Sequence, residues 1–338
     1  MTLADAVRIL GRGPGRSRNL TRAEARAAMA EIMSGEAAPE AVGAVLMLMR
    51  FRGENAEEIA GFVDALRADV ATHFGPWEGA KPALDWPSYA AGRSRGLPWF
   101  LLAARLVATA GYPVLLHGWN GAAAEERDVR LSLAHAGIRT ARTRAEAQAL
   151  IANSGIAYLP LEVASSRALA VLRLREVLGL RSPVNTALRL LNPAGAETSV
   201  QGVFHPPYRG LQTDASALLG QPNQMVLKGA GGEFVRAPSK DIALMGLRAG
   251  VPFDDVAPAL IADTGRLAEG PVGTDPQALR ALWTGEAPDP YAEAIVLGTA
   301  AAAFLALGAV VDAQAGLALA QFRWTTRPPM PGLTGDLQ

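Results

Sequence analysis

Three short apolar runs constrain this chain most: Pro113 to His117, Ile156 to Leu161 and Met225 to Leu227. Long Ala- and Leu-rich stretches, such as Trp99 to Ala110 and Ser166 to Leu178, separate them. Short runs that are apolar throughout fit strands buried on both faces, and the intervening stretches have the length of helices. The alternation predicts an α/β domain around a central, mostly parallel sheet. It is absent from the first 70 residues, which read as all helix. There Thr21 with Glu24, and Asn55 with Glu58, fit capping boxes. Val42, Val45, Leu46 and Met49 recur at helical spacing, and Met47 and Leu48 broaden the face. That is more apolar surface than one small helix needs to bury internally. His73 to Gly79 is rich in breakers and reads as a linker. The expected organisation is a small helical domain over 1–72, a larger α/β domain over 80–326 and a loose tail over 327–338.

Composition narrows the function. Basic and acidic side chains balance at 32 each, which argues against a dedicated nucleic-acid binder but leaves a local basic groove open. Arg8, Arg12, Arg16, Arg18, Arg22 and Arg26 form such a local cluster, with only Asp5 and Glu24 against it over the same stretch. It could follow a phosphate backbone, or be a solvated helix face. Cysteine is absent, which excludes disulfides, thiolate catalysis and Cys-ligated zinc. The opening residues lack the apolar core of a signal peptide, so a cytoplasmic protein without a membrane partner is expected. Ala294 to Val311 is uncharged and near the length of a membrane span. It is mostly Ala and Gly, and the expectation is a buried helix.

The stretch Arg173 to Gly195, RLREVLGLRSPVNTALRLLNPAG, carries the most chemistry. It reads as a helix stopped at Gly179, then a loop with Arg181, Asn185 and the Asn192-Pro193 turn. It resembles the R-x-x-L-G-x-R-(S/T)-x-x-N…N-P-A segment of the anthranilate phosphoribosyltransferase family, glycosyltransferase family 3. The run from Leu20 to Arg67 is similar to that family's helical domain almost throughout. The resemblance implies a helical domain followed by an α/β domain, and a homodimer through the helical domain. It also implies Mg²⁺-assisted transfer of ribose 5-phosphate from phosphoribosyl pyrophosphate to an acceptor nitrogen. On it, Arg175, Arg181 and Asn185 stand on the acceptor and ribose side.

Elsewhere the chain departs from the family. Where the family has a G-T-G-G-D loop, this chain has Asp85 to Pro98, DWPSYAAGRSRGLP. Tyr89, Arg93 and Arg95 become candidate phosphate ligands there, because guanidinium grips phosphate without a metal. The family's K-H-G-N-R becomes Leu116-His117-Gly118-Trp119-Asn120. His117 and Gly118 match, although a lone His after an apolar strand is more often a satisfied core group than a catalyst. Trp119 offers a stacking face or a packing residue. The family's G-x-D-G-x-D-E becomes Lys228 to Val235, with Phe234 and Val235 at the acidic pair and Glu233 one place earlier. One carboxylate beside a lysine is a poor Mg²⁺ site, so no metal and no cofactor are expected. Lys228, Gly229 and Glu233 remain candidates for a ligand at a strand end; the plainer reading of Lys228 and Glu233 is a surface ion pair.

These departures, above all K-G-x-G-G-E, resemble the YbiB-like branch, whose members are associated with nucleic-acid binding. Two functions stay open. One is a protein without Mg²⁺-dependent transfer that binds a phosphate-bearing small molecule or single-stranded nucleic acid. The other is a working glycosyltransferase with an altered donor or acceptor, using arginines in place of metal.

Overall fold

The first four helices of the computed structural model are α1 (Leu3–Gly11), α2 (Arg22–Ser34), α3 (Pro39–Arg52) and α4 (Ala56–His73). The structure describes residues 1–89, 96–119, 129–262 and 275–332. Both expected capping boxes are made: Thr21 N–H donates to Glu24 at 2.9 Å, and Asn55 N–H to Glu58 at 3.0 Å. A further box at Thr2 and Asp5 opens α1. Val42, Val45, Leu46 and Met49 lie inside the chain's own core. The face read as surplus is therefore used within one copy of the chain. The arginine cluster is also partly engaged. Arg18 pairs with Glu24 at 2.6 Å, Arg8 with Asp5 at 2.9 Å, and Arg22 reaches Asp64 of α4 at 2.7 Å.

The strands are β1 (Leu84–Ser88), β2 (Val114–Gly118), β3 (Ile156–Pro160), β4 (Thr198–Val203), β5 (Asn223–Lys228), β6 (Ile242–Arg248) and β7 (Val251–Ala257). They form one 7-stranded sheet in the order β3-β2-β1-β4-β5-β6-β7. β1 to β5 run parallel, and the β6–β7 hairpin closes one edge antiparallel. The connecting helices are α5 (Phe100–Thr109), α6 (Val129–Leu133), α7 (Arg144–Ser154), α8 (Leu161–Ala164), α9 (Ser166–Leu178), α10 (Val184–Ala187) and α11 (Tyr208–Leu218). After the sheet come α12 (Gln277–Thr284), α13 (Pro290–Ala306) and α14 (Ala313–Thr325).

The chain runs outward from β1 to β3, then returns to lay β4 beside β1. The direction of winding reverses at that pair, and α/β folds bind ligands beyond the strand ends at such a point. The β1–β4 ladder holds only Leu84 to Thr198 and Asp85 to Ser199. Beyond it the strands part. Residues 85–88, expected in a loop, are thus strand; a Trp-Pro-Ser sequence inside it hides the pattern.

Two cores flank the sheet. Leu84, Trp86, Val114, Leu116, Val200, Met225 and Leu227 pack with α5, α13 and α14 on one face. The other face meets the helical domain. Ala168, Val171, Leu172 and Val184, from α9 and α10, share that domain's core, as do Leu115, Ala157 and Leu159 of the sheet. The apolar run from Ala294 lies largely in α13, which is buried almost throughout. Among the described residues no helix is long and apolar enough to cross a membrane. Within the tail, Arg327 to Met330 make contacts with the α/β domain. The Arg327 guanidinium sits 3.9 Å above the Trp324 ring, the Trp283 indole N–H donates to Pro328 O at 3.0 Å, and Met330 is buried.

Candidate functional site

Side chains from β1, β2 and β4 meet at the reversal point in a buried polar chain. The Ser199 hydroxyl donates to Asp85 Oδ2 at 2.9 Å. Asp85 Oδ1 lies 3.1 Å from His117 Nε2. His117 Nδ1 lies 3.0 Å from the Tyr89 hydroxyl. All four residues are at most 2% exposed. A carboxylate beside Nε2 favours the tautomer with its proton there, leaving Nδ1 to accept from Tyr89. The Asp85–His117 approach is off the line of a good hydrogen bond, so charge–dipole attraction holds it more than direction does. Each ring nitrogen of His117 thus faces a protein partner, and neither is left for a ligand in this arrangement. His117 is thus a buried core group, hydrogen-bonded through Nδ1 and merely close to a carboxylate at Nε2. Burial pushes the Tyr89 phenol well above its ordinary range, and the fields of Tyr158 and Asp85 add to the shift.

The glycines of the strand ends have a packing cause. A Cβ on Gly118 would fall 1.9 Å from Ser88 O. Cβ atoms on Gly202 and Gly229 would fall 2.0 Å and 1.6 Å from the Glu233 carbonyl oxygen. After β5 the chain therefore folds back tightly, and Gly229 N–H donates to Val203 O at 3.0 Å. Lys228, the last residue of β5, is exposed, whereas Glu233 is only 1% exposed. They are not the surface ion pair that the sequence permitted. Phe234 is fully buried, edge-on to Trp86 at 5.3 Å, and Val235 is buried beside it.

These residues do not fit Mg²⁺. The ion demands several hard oxygens in near-octahedral array. Apolar, buried side chains hold both positions of the expected pair, and the field of the Arg189 guanidinium reaches the one carboxylate. Among the described residues no group of three or more His, Asp or Glu side chains could hold a metal ion.

Arg189 is the site residue that the sequence did not reveal. It sits between leucines, on the short 3₁₀ turn Leu188–Leu190, and so reads as part of an apolar segment. In the fold it is buried, donating to Gly202 O at 2.6 Å and Gly232 O at 2.5 Å. Burial draws its pKa down, and Glu233 and Tyr89 oppose that shift. Asn185 is buried on α10, and Gln201 on β4 is fully buried. Among the described residues neither amide has a hydrogen-bond partner. Phe204, directly after β4, was also missed; it is 53% exposed, edge-on to His205 at 4.8 Å.

The remaining candidates divide. The Arg175 guanidinium lies 4.7 Å from the centre of the buried Trp119 ring, which joins two candidates in a cation–π contact. Arg181 is half-buried on the loop after Gly179. Arg93 and Arg95 lie outside the described residues.

Comparison with known proteins matches this architecture. Residues 4–69 fit the model of the glycosyl transferase family helical bundle domain. The anthranilate phosphoribosyltransferase of Novosphingobium aromaticivorans is 30% identical over 296 residues, covering 85% of this chain and 87% of that protein. The one from Beijerinckia indica is 33% identical over 214 residues, a match spanning 63% of this chain and 61% of the relative. The crystal structure of anthranilate phosphoribosyltransferase from Thermus thermophilus superposes with a TM-score of 0.77 at 25% identity, covering 95% of both chains. With its helical bundle, reversed parallel sheet and near full-length relatives, the chain belongs to the anthranilate phosphoribosyltransferase-like family, glycosyltransferase family 3.

Proposed function

We propose that this chain is a family member that has lost Mg²⁺-dependent phosphoribosyl transfer and binds a phosphate-bearing ligand at the reversal point of the sheet. One observation carries the reading. The turn after β5 offers a single carboxylate, Glu233, and it is buried next to Phe234 and Val235. Without paired carboxylates the charge of departing pyrophosphate has no divalent ion to meet it. Binding needs less than transfer does. Lys228 is an exposed cation at the mouth, and half-exposed Phe204 next to β4 offers a face on which a base could stack. Together with the likeness of Lys228 to Glu233 to the YbiB-like branch, these favour single-stranded nucleic acid as the ligand. The relatives named above are anthranilate phosphoribosyltransferases, and the alternative is a transferase with a changed donor or acceptor. A homodimer through the helical domain is retained; Phe51, 90% exposed at the end of α3, supports an interface there.

The test has two arms. Phosphoribosyl pyrophosphate, anthranilate and MgCl₂ are incubated with the protein and phosphoribosyl anthranilate is measured; the expected rate is far below about 1 per second. A labelled single-stranded oligonucleotide is titrated at low and high salt, with tighter binding expected at low salt. Ordinary turnover in the first arm, or no binding in the second beside binding of phosphoribosyl pyrophosphate, replaces this reading with the alternative.

A further inference from the structure

We propose that Arg189 is a built-in cation: its guanidinium supplies, as part of the chain, the fixed positive charge that the family resemblance assigns to Mg²⁺ at this crevice. Its position carries the inference. Arg189 donates to Gly202 O at the end of β4, and to Gly232 O of the turn that follows β5. Gly202 lies on β4 where it is still paired with β5, and Gly232 directly precedes Glu233. The guanidinium is buried, and a Cβ on Gly232 would come within 3.2 Å of Nη2, so the cation fits its place closely.

Guanidinium differs from Mg²⁺ in two ways that matter here. It offers N–H donors in a fixed plane, which suit carbonyl oxygens. It has no exchangeable coordination position, so it holds the turn but cannot draw a ligand oxygen into a coordination shell. The turn carrying Lys228 is thereby set without any divalent ion. Removing Arg189 would leave two buried carbonyl oxygens facing a vacated cation position beside Glu233.

The first test uses the unaltered protein. Thermal unfolding in millimolar MgCl₂ and in EDTA should give midpoints within about 1 °C. A rise of several degrees with Mg²⁺ that disappears in Glu233→Gln would overturn the proposal, because Glu233 would then hold metal. Next, Arg189→Ala should melt lower by about 5 °C or more. Millimolar propylguanidinium should restore at least half of that loss while leaving the parent unmoved. Loss without rescue means that the side chain only fills space. Should Arg189→Ala not fold, Arg189→Lys and Arg189→Met decide: folded protein from Lys alone supports the cation, and equal outcomes overturn it. Finally, pyrophosphate should bind the parent with affinities within about twofold with and without Mg²⁺. Only this last arm rests on the phosphate-binding reading. Absence of pyrophosphate binding in both conditions sinks that reading, while the thermal arms still judge Arg189.

Discussion

Alternate residues of the same strands serve two different interiors. On β1, Leu84 and Trp86 enter the core beneath α5 and α13, while Asp85 faces the helical side beside Ser199 and His117. On β4, Val200 goes to the first side; Ser199 and Gln201 go to the second. On β5, Met225 and Leu227 oppose Gln224, whose amide donates to Ser216 at 2.6 Å. The first interior is stabilised by area removed from water, which is tolerant of direction. The second is assembled from hydrogen bonds and charges, whose net value is small when made and whose cost is high when one partner goes missing. A half-satisfied polar layer is thus the fragile half of this molecule.

The apolar face should show the largest single loss. Trp86 is fully buried between Phe100 and Phe234. Trp86→Ala is expected to cost about 3–5 kcal/mol in urea unfolding. A smaller loss than that from any polar-face substitution would break the comparison. Asp85→Ala should follow, at about 2–4 kcal/mol, because it strands His117 and Ser199 in a dry setting. The combined variant Asp85→Leu/His117→Phe/Ser199→Ala should regain most of that stability. Strictly additive losses would mean that the polar chain is not one unit.

Tyr89→Phe removes one hydroxyl contact and should cost about 1 kcal/mol near neutrality. Its pH dependence is more telling. The folded phenol is held well above the ordinary value of 10.0 by burial, then by Tyr158 and Asp85. A group whose folded value is raised contributes stability below the unfolded value and loses it as pH climbs towards the folded one. The parent should therefore weaken above pH 10.0 more steeply than Tyr89→Phe, and late tyrosinate absorbance should be reduced in the variant.

The smallest effect belongs to the surface. The hydrogen-bonded Arg18 guanidinium holds Glu24 down at about 2 from an ordinary 4.5. That contribution is present above 4.5 and is lost as pH falls towards about 2. The pair is largely solvated, so Glu24→Gln should cost under about 1 kcal/mol and become invisible in high salt. A larger cost would erase the distinction between a buried polar layer and an exposed pair.

The same two-sidedness decided what could be read from the residues alone. β2, β3 and β5 showed themselves because each holds an unbroken apolar run that spans both faces. β1 and β4, Leu-Asp-Trp-Pro-Ser and Thr-Ser-Val-Gln-Gly-Val, did not, because the polar layer breaks their apolar runs. The helix stop at Gly179 and the capping residues were legible, since they depend on local backbone geometry. Arg189 was hidden among leucines, and only the fold brings it to Gly202 and Gly232. Phe204 gave no signal, because exposure is a property of its place after β4 and not of its neighbours in the chain.

The glycines at the strand ends have a consequence for how such chains diverge. At Gly118, Gly202 and Gly229 a neighbouring backbone already fills the space where a methyl group would stand. Losing a reaction relaxes the demand on its acids and bases, but leaves that crowding untouched. A descendant can therefore discard its chemistry and remain bound to its glycines. The motif then outlives the activity, and a surviving glycine in this fold records a carbonyl next door before it records a phosphate.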